Sequence, residues 1–131
     1  MSARPGSAAR RSKRGRLSRS AEFDRVFRQG RSQGNRVLVL HVFPRGEEGE
    51  PRLGLSVSRR VGGAVDRNKV KRLLREAFAR EAEHLPPGQD VVVVARPEAR
   101  VVAEREGLDG IRRALAELIA RVRERADGAA R

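Results

Sequence analysis

Cysteine, tryptophan and tyrosine are absent from this 131-residue chain, and its four phenylalanines are the only aromatics. Without thiols there are no disulfides and no thiolate metal sites, a composition compatible with a reducing compartment. Acid is scarce as well: 17 Asp and Glu stand against 30 Lys and Arg, for a formal net charge of +13. A self-sufficient metal nuclease needs several carboxylates around its ions, but the acids here are scattered. Glu47, Glu48 and Glu50 sit in a turn, while Glu104, Glu106, Glu117 and Glu124 are interspersed with Arg as on a solvated surface. The two histidines, His41 and His84, have no carboxylate cluster built around them. Neither an H-E-x-x-H pair nor a Gly-rich nucleotide loop ending in Lys-Ser or Lys-Thr occurs. No apolar run approaches the ~20 residues that span a bilayer, and no signal-peptide core follows the Arg-rich N-terminus. That N-terminus shares the Arg- and Ser-rich, acid-free composition of an organellar transit peptide but lacks an amphipathic apolar face. A soluble, cytoplasmic protein with no membrane partner is the expectation.

What remains is charge and one modest core. The 38% apolar content suits a single domain of this length. A sequence pI near 11.7 calls for a polyanion to neutralise it. Nucleic acid is the first candidate and an anionic membrane surface the second.

Residues 1–15 form a basic, Gly- and Ser-rich stretch with too few apolar groups to support order, and a disordered arm is predicted there. Ser18 or Ser20 caps a short helix in which Phe23, Val26 and Phe27 share a face and Gly30 supplies the stop. From Arg36 to Phe43 a strand is predicted, with Val37, Val39, His41 and Phe43 on one face and Leu38, Leu40 and Val42 on the other. The turn-rich Gly46–Pro51 segment makes the next run, with Leu53, Leu55 and Val57 facing the core, its hairpin partner. A helix follows from about Ala64 to Ala82, with Val70, Leu73, Leu74, Ala77 and Phe78 in one apolar stripe. Val91–Ala95 reads as a strand buried on both faces. A last helix is predicted over about Leu108 to Arg125, with Ile111, Leu115, Leu118, Ile119 and Val122 inward, before a disordered tail at 126–131. Phe43 and Phe78 are assigned to the core. The order predicts an α+β sandwich on a mostly antiparallel sheet.

The chemistry concentrates between Arg59 and Arg75, where seven basic residues face one acid. At about 100° per residue, Arg67, Lys71 and Arg75 form a row along one edge of the stripe, with Asn68 and Arg72 beside it. Like charges four apart destabilise a helix by a few tenths of a kcal/mol per pair, so the row suits an anionic partner such as nucleic-acid phosphate. A solvated basic face is the alternative. Gly62 and Gly63 before the helix either let backbone N–H groups approach a phosphate or simply make the turn.

The stretch Gly54-Leu55-Ser56-Val57-Ser58-Arg59-Arg60-Val61-Gly62-Gly63-Ala64-Val65-Asp66-Arg67-Asn68-Lys69-Val70-Lys71-Arg72 resembles the signature of the bacterial ribonuclease P protein family. There a G-L-S-V-S-K-K strand precedes G-N-A-V and a helix opening R-N-R-x-K-R. The resemblance extends through Arg16-Leu17, Phe23, Val26-Phe27 and Gly30 upstream and the Val91–Arg96 strand downstream, spanning residues 13 to 123. It implies one RNA-binding domain over 16–125, a small α/β sandwich with three helices, a four-stranded sheet and a left-handed βαβ crossover, like a ribosomal-protein domain. It also implies the function of a protein subunit that joins a catalytic RNA and helps to remove the 5′ leader from precursor tRNA. In that scheme the RNA holds the catalytic centre and its Mg2+ ions, with no catalytic residue, metal ligand or organic cofactor in the protein.

By the same resemblance, Arg59, Arg60, Arg67, Asn68, Lys69, Lys71, Arg72 and Arg75 bind RNA, and Phe23, Phe27, His41, Ser56 and Ser58 line a cleft for the single-stranded leader. Two positions depart from the family pattern. Gly63 stands where Asn is usual, and His41 where many members have an aromatic. A ribosomal or general RNA-binding protein is the second reading, and a membrane-surface or DNA-compacting protein acting through charge alone is the third.

Overall fold

A computed structural model describes residues 20–45 and 49–130, without the side chains of Ser20 and of residues 126–130. The arm expected over 1–15 lies outside the described residues. The elements are α1 (Ser20–Gln29), β1 (Arg31–Gly34), β2 (Leu38–Pro44), β3 (Arg52–Ser56), α2 (Ala64–Glu81) with a 3-10 turn at Ala82–His84, β4 (Gln89–Ala95) and α3 (Glu98–Ala130).

Val91, Val92 and Val93 are each at most 1% exposed, and a strand shielded on both faces belongs inside a sheet. The strand order is accordingly β1-β2-β4-β3. β2 pairs antiparallel with β1 and β4, whereas β3 runs parallel to β4. This mixed sheet corrects two expectations. β3 is not the hairpin partner of β2, because the more apolar β4 takes the place between them. The hairpin partner of β2 is β1, whose sequence Arg-Ser-Gln-Gly has no apolar alternation to announce a strand. Asn35 closes that hairpin: its Oδ1 accepts from the Val37 and Leu38 amides, and its Nδ2 donates to the Ala114 carbonyl and to Glu117.

Alternation along the strands sorts side chains onto two faces. Leu38, Leu40, Val42, Leu53, Val57, Val91, Val93 and Ala95 form the main core together with the α2 stripe and Ile111, Leu115, Leu118 and Ile119 of α3. Phe78 lies in this core. The opposite face is covered only in part, by α1, in a smaller cluster of Val26 and Val92 edged by Phe23, Phe43 and Val94. Phe43 thus packs beneath α1 rather than in the main core.

Within α3, Gly107 has φ +62 and interrupts the helix between two runs. The run before it lies ahead of the expected start near Leu108; its buried Ala99 and Ala103, four residues apart, are the signal for it. The run after it contains the predicted inward residues and continues to Ala130, past the expected end at Arg125.

Candidate nucleic-acid interface

The two sets of candidate residues lie on opposite sides of the sheet and meet at its edge. α2 packs on the main-core face, and its register is set by Val70, Leu73, Leu74, Ala77 and Phe78, all buried. That register turns Asn68, Arg72 and Arg75 to solvent and leaves Arg67 and Lys71 half-buried along the edge of the stripe. Long basic side chains suit this edge, since their stems cover apolar surface while the heads stay in water. Lys69 is separated from this row: it falls roughly 200° around the axis from Arg67, on the other border of the stripe.

Ion pairing engages only part of the basic surface, and among the described residues Arg28, Arg31, Arg36, Arg80, Arg96, Arg105 and Arg123 form no ion pair. Arg25, Arg45, Arg52, Arg100, Arg112, Arg113 and Arg121 each pair with an acid. Among the described residues, none of the seven cations from Arg59 to Arg75 does so. The Arg67 Nε is buried with no hydrogen-bond partner. An unpaired cationic face has not been neutralised within the fold, and its charge is available to an external polyanion.

The glycines before α2 divide the alternatives posed by the sequence. Gly62 has φ +157, and a Cβ there would stand 2.8 Å from the Asp66 carboxylate, so this glycine makes the turn. Gly63 is the N-cap of α2 in ordinary extended geometry, with no side-chain cap and open space where a Cβ would go. Nothing in the fold demands glycine at this second position.

On the other side of the sheet, register aligns His41, Val92 and Gly54 in one row across β2, β4 and β3, and Val39, Val94 and Ser56 in the next. α1 lies over the first row. Phe23 rests on Gly54, where a Cβ would come within 2.6 Å of its ring. Phe27, 41% exposed, meets His41 edge to face with ring centroids 4.6 Å apart. The second row is half-buried on the same face. β3 leaves this face through exposed Ser58, Arg59 and Arg60 and leads directly into α2. Of the residues predicted to line a cleft, Phe27 is exposed, and His41 and Ser56 are half-buried on the same face. Phe23 chiefly packs on the sheet, and Ser58 lies at the exit. Burial lowers the pKa of His41 and favours its neutral form.

The described residues contain no cluster of three or more His, Asp or Glu side chains suited to a metal ion.

The family model for ribonuclease P matches residues 12–123. The chain belongs to the ribonuclease P protein family. Its similarity to the ribonuclease P protein component of Shouchella clausii is 47% identity over 91 residues, covering 70% of this chain and 75% of that one. The solved ribonuclease P protein of Thermotoga maritima shares 35% identity at a TM-score of 0.73, covering 81% of this chain and 96% of that one. That of Staphylococcus aureus shares 33% at 0.72, covering 82% and 94%. The α+β architecture is thus that of ribonuclease P proteins. None of the described helices is long and apolar enough to cross a membrane.

Proposed function

We propose that this chain is the protein subunit of a ribonuclease P that removes the 5′ leader of precursor tRNA, using its two surfaces for two RNA contacts. The observation that supports this best is the unpaired cationic face of α2, held beside an open aromatic cleft in a member of the ribonuclease P family. Arg67, Asn68, Lys71, Arg72 and Arg75 face the phosphates of a catalytic RNA, with Arg able to grip phosphate bidentately. Lys69 contributes from the far border of the same helix. Phe27 and His41 receive unpaired leader bases by stacking, with Phe23 holding α1 in place and Ser56 and Ser58 offering hydroxyls along the floor. Arg59 and Arg60 bridge the two surfaces.

Bond cleavage falls to the catalytic RNA and the Mg2+ it holds, while the protein binds and orients the substrate. Compartment follows the RNA partner, which in this reading is cytoplasmic. Reconstitution tests the proposal: with a catalytic ribonuclease P RNA at low magnesium, added protein should accelerate cleavage of a leader-bearing precursor. A rate equal to that of RNA alone would refute it.

A further inference from the structure

A buried charge cluster lies under α1, outside the RNA-facing residues described above. Asp90 is 0% exposed at the start of β4. Arg52 of β3 grips its carboxylate with two parallel bonds, Nε to Oδ1 and Nη2 to Oδ2, each 2.8 Å. Arg45, just after β2, donates to Oδ1 at 3.1 Å, and Arg25 of α1 reaches Oδ2 at 3.5 Å. Arg52 also pairs with Glu22 of α1 at 3.0 Å, and the Arg25 guanidinium lies 5.3 Å from the centre of the Phe43 ring. Two ionic links, Arg25–Asp90 and Glu22–Arg52, therefore tie α1 to the sheet.

The apolar footing of α1 is small by comparison. Val26 is its one fully buried hydrophobic residue, with Phe23 half-buried beside it. Apolar contact is non-directional and does not by itself fix how a helix slides or rolls on a sheet, whereas charge-assisted bonds to a buried carboxylate are directional. The placement matters because Phe27 meets His41 only in one register of α1 on the sheet.

We propose that Asp90 and Arg25, together with the Glu22–Arg52 pair, are positioning residues that fix α1 so that Phe27 is presented to single-stranded RNA in the cleft. This rests on the leader-binding reading above. Removing the Arg25 side chain releases one link, yet Asp90 retains Arg45 and Arg52, so the fold should survive. The test compares R25A, R25K, D90N and F27A in reconstituted holoenzyme. It measures affinity for leader-bearing precursor and for mature tRNA, the cleavage rate at saturating precursor, and hydrogen exchange in α1.

R25A should weaken precursor binding by up to about fivefold, the scale of a partly exposed ion pair. Mature-tRNA affinity and the saturating rate should stay unchanged, exchange in α1 should rise, and R25K should restore part of the loss. R112A, which breaks the distant Arg112–Glu81 pair, should leave the precursor-to-mature ratio intact. If D90N does not fold, R25A decides. Unchanged α1 exchange in R25A, or an unchanged affinity ratio in R25A when F27A lowers that ratio, would overturn the proposal. If F27A itself leaves the ratio unchanged, the leader-cleft reading fails instead, and α1 exchange alone decides whether the cluster positions the helix.

Discussion

Two residues, His41 and Gly63, have physical consequences that can be tested one at a time. His41 sits half-buried against Phe27, and burial holds its pKa below the ordinary 6.5. The unfolded chain then takes up the proton first, so folding stability declines as pH falls from 6.5 towards the folded-state value and levels off below it. Protonation of the folded protein would place a cation beside Phe27. Precursor affinity should therefore rise on acidification through that range, and H41F should remove the pH dependence; equal pH profiles for both proteins would contradict the assignment of His41 to the cleft. Gly63 caps α2 without a side chain, in geometry that any residue adopts. G63N should supply the missing cap and stabilise the protein by a few tenths of a kcal/mol, measurable as a shift in the denaturant midpoint.

At the scale of the element, α2 divides its work between its two sides, and substitutions should separate them. Leu74, 1% exposed in the main core, should cost about 2–5 kcal/mol of stability when replaced by alanine. Arg72, exposed and unpaired, should cost almost no stability when replaced. R72A should instead weaken binding to the catalytic RNA and reduce the slope of log affinity against log salt by about 1. A stability loss in R72A comparable to that in L74A would mean that the charge row serves the fold rather than RNA. The apolar stripe of α2 was fully legible because its helical spacing runs unbroken over Val70, Leu73, Leu74, Ala77 and Phe78. β1 was not legible: an edge strand of polar residues contributes backbone bonds and little burial, so its sequence shows no period-two pattern. The first run of α3 was missed for a related reason, since its buried faces are the small Ala99 and Ala103.

For the whole molecule, the Asp90 cluster joins α1, β3, β4 and the end of β2 through one carboxylate. Burial raises the pKa of that carboxyl, but the hydrogen bonds and charges of Arg52 and Arg45 outweigh burial and hold it below the usual aspartate range. The cluster's stabilisation is fully present above the ordinary aspartate pKa and is lost as pH falls through the depressed value. D90N should cost on the order of 3 kcal/mol near neutral pH by leaving three arginines around a neutral group. It should also flatten this acid-side loss, and urea unfolding as a function of pH reads both effects. None of this cluster was visible along the chain. The three arginines lie 38 to 65 residues from Asp90 in sequence, and only tertiary packing brings them together.

The sequence by itself determined the basic helix, the buried stripe beneath it and the family, because those features are local: a spacing, a charge density and a contiguous motif. Tertiary structure alone decided that β4 lies between β2 and β3, and that α2 and α1, with its Phe27–His41 contact, occupy opposite faces of the sheet. It also decided that α1 is pinned by a buried aspartate. Those outcomes depend on which strand buries most on both faces and on which distant charges that choice aligns, and neither is written in any single stretch of the chain.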